Sequence, residues 1–329
     1  MSAPVPSTPQ RTPATELQDQ QISIQTRHII LPFDLCNRVG DVFDDDKRHV
    51  MTSIFPGTTG VGSDGFFVIL YLHTLPPTPW PLIIGGAPLH LILDRDPNYP
   101  DQPVPPLSPI PQMRLVSSKN GSIASDQNGR DMTDWEPLFH IIKSHFQGLE
   151  VSITEVIYWK HFVTVVLKDR DADMTKIPFR AAKIVCMYLF DDEMGRPSVP
   201  QARCLTPDHS AYATLQPGLR LSCHQRSELV HLDSPDTGLI DGLSMASSFL
   251  AIPSDDDNTP ELHWVSSTWI YMGQDSATNL REETCGSAIW NEEGDVLGFF
   301  RYAPKDGVMK NWCSGIAADE LIKDTRTRQ

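Results

Sequence analysis

Cys285, in "REETCGSAIW" (281–290), is the side chain whose type and setting best suit covalent chemistry. A thiolate is a strong nucleophile and needs less help than a hydroxyl. The residue precedes Gly-Ser and then a strand-like Ala-Ile-Trp, which puts it at a loop-to-strand bend. Small neighbours let a substrate carbonyl approach. Successive backbone N–H groups at such a bend can converge on a developing oxyanion, and donors of this kind are worth about 3 kcal/mol of barrier each. The ordinary alternative is one more buried, inert thiol. The sequence leaves both open at this point.

Other chemistries find less support. Six cysteines (36, 186, 204, 223, 285 and 313) are scattered without CxxC pairs, so zinc-ribbon spacing is absent. No metal or cofactor is called for. "GTTGVGSDG" (57–65) lacks the GK[ST] ending of a phosphate loop and reads as a β-turn. Formal net charge is -15, from 42 acidic and 27 basic residues. Such a surface repels phosphate backbones, which argues against nucleic acid, and attracts basic peptides. No apolar run reaches membrane-spanning length and the first residues lack an apolar signal core, so the expected location is intracellular and cytoplasmic. Asn120 heads an N-x-S sequon, which carries little meaning without a secretory route.

The elements that must position Cys285 are mostly strands. The 28 prolines favour loops and short strands over long helices. Residues 1–25 read as a disordered tail and 97–130 as a Pro-rich loop. One helix is expected over 134–148, with Asp134 as cap, Pro137 in its first turn and Gly148 at its end. A helical or mixed stretch is expected over about 150–165. Strands are expected at 65–72, 81–96, 181–190, 210–215, 228–232, 242–253, 263–272, 287–291 and 295–303, and a terminal helix at "IAADELIKD". His140, His145 and His161 are expected on surfaces, and His231 on a strand face.

Four stretches carry a resemblance. "ETCGSAIWNEEGDVLGFF" is similar to the nucleophile segment of trypsin-like peptidases, where G-D-S-G-G/S-P leads into a hairpin and viral-type relatives carry Cys for Ser. "LVHLDSPDTGLIDGLSMA" (229–246) is similar to a strand–turn–strand of uncharacterised fungal proteins with a trypsin-like domain. "AAKIVCMYLF" (181–190) with "DHSAYATL" (208–215) resembles their strand and D-W-A-L-I-E-L segment. "IIGGAPLHLILD" (83–94) stands where they carry L-T-C-R-H-V-L. The resemblance covers about 180–322 well and the earlier residues weakly.

It implies a mostly β protein, a chymotrypsin-like double β-barrel. The first barrel would span 26–216, with a Pro-rich loop and a helical insertion at about 97–165. The second would span 217–322 with the terminal helix, followed by a tail at 323–329. Residue by residue, the resemblance makes Cys285 the nucleophile and His90 the general base. It puts the acid just before "SAYATL", where this chain has His209, with Asp208 one place earlier. The backbone N–H groups of Cys285 and Glu283 would form the oxyanion hole. Glu283 and Thr284 depart from the family's glycine and aspartate. The implied activity is peptide-bond hydrolysis on a peptide or protein substrate by a Cys–His dyad. The alternative is an inactive pseudopeptidase that binds a protein partner through its cleft or its helix. A third reading is a different β-rich fold with Cys285 structural.

Overall fold

A computed structural model describes residues 23–25, 27–35, 44–63, 67–94, 113–124, 135–159, 162–195, 228–234, 238–252, 263–274, 280, 285–304, 309 and 311–320. The protein is mostly β, and its chain falls into two compact units, Met1–Ser108 and Pro109–Gln329. The boundary expected near residue 216 lies outside the described residues.

The first unit holds strands β1 (Ser23–Gln25), β2 (His28–Ile30), β3 (Thr58–Ser63), β4 (Val68–Leu72), β5 (Ile83–Ile84) and β6 (Ala87–Leu93) in the order β1-β2-β5-β6-β4-β3. Two pairings, β2–β5 and β4–β6, are parallel. The described strands make an open mixed sheet. Helix α1 (Asp45–Ile54) starts where the Asp44 carboxylate accepts the Lys47 N–H at 2.8 Å. Its Val50 and Met51 join Ile29, Leu70, Ile84 and Leu89 in one core. Gly85 and Gly86, at φ +52° and +80°, turn β5 directly into β6. Positive φ at both positions fits a two-residue hairpin turn, which glycine alone adopts without strain.

Two expectations fail here, and one element was missed. Ser23–Gln25 is a strand paired with β2, where a disordered tail was expected through residue 25. Thr58–Ser63 is an edge strand where a β-turn was expected. Its glycines carry no hydrophobic pattern because Tyr71 covers them: a Cβ on Gly60 would lie 3.3 Å from the ring. Helix α1 was not expected at all.

The second unit carries β7 (Ser122–Ile123), β8 (Ile153–Tyr158), β9 (Phe162–Leu167), β10 (Arg180–Ala181), β11 (Ile184–Phe190), β12 (Glu228–Ser234), β13 (Gly238–Ile252), β14 (His263–Tyr271), β15 (Ala288–Asn291), β16 (Val296–Tyr302) and β17 (Trp312–Ala317). Strand β12 pairs with both β13 and β15. The ring β12-β13-β14-β17-β16-β15 is therefore closed, and every pairing in it is antiparallel. Closure removes sheet edges. Inside lie Val230, Leu232, Ile270, Ile289, Phe300 and Cys313.

Backbones approach closely across this ring. A Cβ on Gly298 would collide with the Ile316 carbonyl, one on Gly242 would lie 2.6 Å from Ile270 Cγ2, and one on Gly315 2.5 Å from Ile289 Cδ1.

Strand β13 is 15 residues long and joins the ring to the rest of its 11-stranded sheet. Its first half closes the ring with β12. Beyond a bulge between Ser244 and Ala246, residues 247–250 pair with β8. From there the sheet continues through β9, β11, β10 and β7. Helix α2 (Glu136–Gly148) packs on β7, β8 and β10 through Leu138, Phe139, Ile142 and Phe146. The helix is where the sequence put it, with Pro137 in the first turn, though Trp135 is its N-cap residue and Asp134 lies outside the described residues. It belongs to the second unit.

At the junction, Glu155 on β8 is completely buried. Its Oε1 accepts Ser248 Oγ at 2.5 Å and Trp269 Nε1 at 2.8 Å, and Ser248 lies 2.6 Å from Ser267. A buried carboxylate persists only when donors such as these replace water. This corrects the mixed stretch expected over 150–165, which is two strands rich in Ile, Thr and Val. The loop expected over 97–130 contains a single 3-10 turn (Ser118–Asn120) and β7 among its described residues. The sequon residue Asn120 donates to the carbonyls of Met174 and Ile177 at 2.9 and 2.8 Å, so its amide is a structural tie. At the far end, Ile316 and Ala317 close β17, and the helix begins only at Ala318.

Candidate functional site

Cys285 sits in a turn immediately before β15. Gly286 follows at φ +89°, a left-handed conformation that favours glycine, with open space around its Cα. Two backbone bonds fasten the turn to β16: Gly286 N donates to Phe300 O at 2.8 Å, and Phe300 N to Ser287 O at 2.8 Å. The far end of the β15–β16 hairpin is also fixed. Asn291 Oδ1 accepts the N–H groups of Glu293 and Asp295, and its amide donates to Glu228 on β12 at 2.8 Å. The sequence pattern thus places the cysteine on a short turn held by the barrel wall.

Exposure separates Cys285 from the other described thiols. It is half-buried, whereas Cys186 and Cys313 are buried. Burial pushes both of those up to about 12, because an interior disfavours the thiolate. None of the three forms a disulfide.

His90 lies on β6 of the first unit, and Cys285 in the second. The neighbours Leu89 and Leu91 point into the first unit's core, so His90 takes the opposite face, with its ring 5.8 Å from Phe67 in edge geometry. Desolvation lowers it from 6.5 to about 4. It is therefore neutral at pH 7. Because its folded value is depressed, the unfolded chain takes up the proton first as pH falls below about 6.5. The resulting loss of stability reaches about 3 kcal/mol once pH passes 4. His90→Gln should remove this loss. Urea midpoints measured at pH 7 and pH 4 should fall further for the native chain than for the variant, and parallel profiles would refute the buried, neutral imidazole.

Asp208, His209, Glu283, Thr284 and the strand expected at 210–215 lie outside the described residues. Among the histidines, His140 is exposed as expected. His145 is half-buried instead, with Nε2 enclosed and without a hydrogen-bond partner among the described residues, and burial lowers its pKa.

One constellation was missed. His231 is on a strand face, as expected, but its Nδ1 lies 2.9 Å from Asp241 Oδ1, directly across the β12–β13 pair. Trp290 stands opposite on β15, with ring centroids 6.2 Å apart. A hairpin folded about residue 236 puts 231 against 241, so the signal was available in "HLDSPDTGLID".

Among the described residues no group of three or more His, Cys, Asp or Glu could hold a metal ion, and no helix is long and apolar enough to cross a membrane. No protein-family model matches the chain, and no curated protein matches it.

Proposed function

We propose that this chain is a trypsin-like-fold cysteine endopeptidase with Cys285 as nucleophile. The observation that carries the reading is the closed ring β12-β13-β14-β17-β16-β15 with Cys285 on the turn that enters β15. A β-barrel in this part of the chain, with the cysteine just before one of its strands, is what the resemblance to trypsin-like peptidases implies, and the ring supports the reading to that extent. Of the first barrel expected over 26–216, the described strands up to β6 form an open, mixed sheet in the first unit, and β7 to β11 continue the second unit's sheet.

In the reaction that the resemblance implies, Cys285 Sγ bonds to the peptide carbonyl carbon and its proton goes to the general base, the role the resemblance gives to His90. Backbone N–H groups of Cys285 and Glu283 hold the oxyanion. Collapse breaks the C–N bond, and the leaving amine takes the proton from His90. Water then gives a proton to His90 and hydrolyses the thioester. Asp208 would orient the imidazole. The test is digestion of a peptide mixture, with new termini read by mass spectrometry. Cys285→Ala and His90→Ala should each lower cleavage by about 10²-fold or more. Cleavage that persists in Cys285→Ala would overturn the assignment.

A second reading, an inactive pseudopeptidase that binds a protein, is favoured by one observation. An imidazole held near 4 is a weak base and resists becoming the imidazolium that the dyad requires. In that case the native chain cleaves nothing, and native and Cys285→Ala proteins retain the same peptides.

A further inference from the structure

Charge is unevenly distributed along the chain. Between residues 228 and 304 there are fourteen Asp or Glu and only two basic residues, Arg281 and Arg301. This stretch, which supplies five of the six barrel strands, therefore holds twelve of the chain's fifteen net negative charges. A field of that sign and density draws in cationic partners and repels anionic ones.

Two of these carboxylates, Asp233 and Asp241, lie on the outer face of strands β12 and β13, next to β15 and β16. Cross-strand partners form a row: Val296 opposite Trp290, Trp290 opposite His231, His231 opposite Asp241. Two residues further along, exposed Asp233 faces Leu239, which is 62% exposed. Alternation along β12 explains the orientation. Val230 and Leu232 point into the barrel, so His231 and Asp233 point out. The His231–Asp241 hydrogen bond seats the imidazole between the Trp290 ring and the Asp241 carboxylate, while Asp233 stands diagonal to Trp290 across β12 and β15. An indole face with carboxylates near it suits a Lys or Arg side chain, through cation–π attraction and charge pairing together. Leu239 and Val296 offer apolar contact to the stem of such a side chain.

We propose that this outer barrel face docks a Lys/Arg-rich polypeptide, with Trp290, Asp241 and Asp233 receiving its cationic side chains. Docking here does not depend on turnover at Cys285. The test uses the full chain carrying Cys285→Ala, so that binding is read without cleavage. Fluorescence anisotropy is followed with a labelled peptide of Lys, Arg and Leu, and with its counterpart in which Glu replaces the cations. The cationic peptide should bind, more weakly as salt rises, and the acidic one should not. Trp290→Ala and Asp233→Asn should each weaken binding several-fold, and adding Asp241→Asn should bring the loss to about tenfold or more. Asp45→Asn/Asp46→Asn on α1 removes two charges, as many as Asp233→Asn with Asp241→Asn, and should change affinity less than about twofold.

If the α1 pair weakens binding as much as the barrel variants, the effect is bulk charge and the proposal falls. It also falls if no cationic peptide binds, or if Trp290→Ala and Asp233→Asn bind like the parent. Asp233 is exposed and lies outside the His231 hydrogen bond, so Asp233→Asn decides the matter even if Asp241→Asn fails to fold. The outcome is separate from peptidase activity, which the cleavage assay on the unmodified chain reads.

Discussion

Gly298→Ala should unfold the barrel under conditions where the native chain is stable, at a cost of about 3 kcal/mol or more. A Cβ there collides with the backbone carbonyl of Ile316 on β17, and a carbonyl fixed in a closed ring cannot swing aside. The informative control is Gly294→Ala in the β15–β16 turn. A Cβ at Gly294 meets nothing within 4 Å, so only its φ of +87° is unfavourable, worth about 1–2 kcal/mol. Gly315→Ala should fall between them, since its nearest obstacle is the end of a flexible Ile289 side chain and the Phe299 carbonyl stands farther off, at 3.2 Å. Urea titrations followed by tryptophan fluorescence can rank the three, because Trp269, Trp290 and Trp312 all lie in barrel strands. Equal costs for Gly298→Ala and Gly294→Ala would mean that β16 and β17 do not approach as described.

In the folded protein, iodoacetamide at pH 7.5 should modify Cys285 at least about 10³-fold faster than Cys186 or Cys313. The thiolate is the reacting species. A thiol raised from 9.0 to about 12 loses some three orders of magnitude of thiolate at that pH, and burial blocks the reagent further. In urea the three should react alike. Peptide mapping at intermediate times measures each rate. Labelling of Cys186 or Cys313 within tenfold of Cys285 would contradict the burial that separates them. A second feature would speak to chemistry beyond exposure. A proton-accepting partner at Cys285 should make its rate level off below pH 8, whereas an unassisted thiol keeps gaining with pH through 8.5.

Most barrel strands were legible because β-branched and aromatic runs are punctuated by Gly, Pro and acidic turns, as in "SPDTG" and "NEEGD". The failures have particular causes. In "ITEVIY" an acidic residue occupies a core position and disguises a strand, because the partners that make Glu155 acceptable come from residues 248 and 269. "TTGVGS" hides its strand because Tyr71, on the neighbouring strand, supplies the apolar cover. Helix α1 buries few side chains, so it shows little apolar periodicity; its cap and the acidic first turn Asp45–Asp46 were the readable signs. For the site, the turn at Cys285 could be read from Cys-Gly-Ser before a strand. The low basicity of His90 could not, because desolvation depends on which face of β6 the ring takes.

The double duty of β13 has an evolutionary consequence. Inserting or deleting a residue within Gly238–Ile252 would reverse inside and outside for every side chain beyond it, in the ring or in the sheet built on β8. The one extra residue already absorbed, Met245 at the bulge, marks the place where a length change can be hidden. Homologous chains should therefore vary freely in the loops on either side of this strand while keeping its count of residues unchanged.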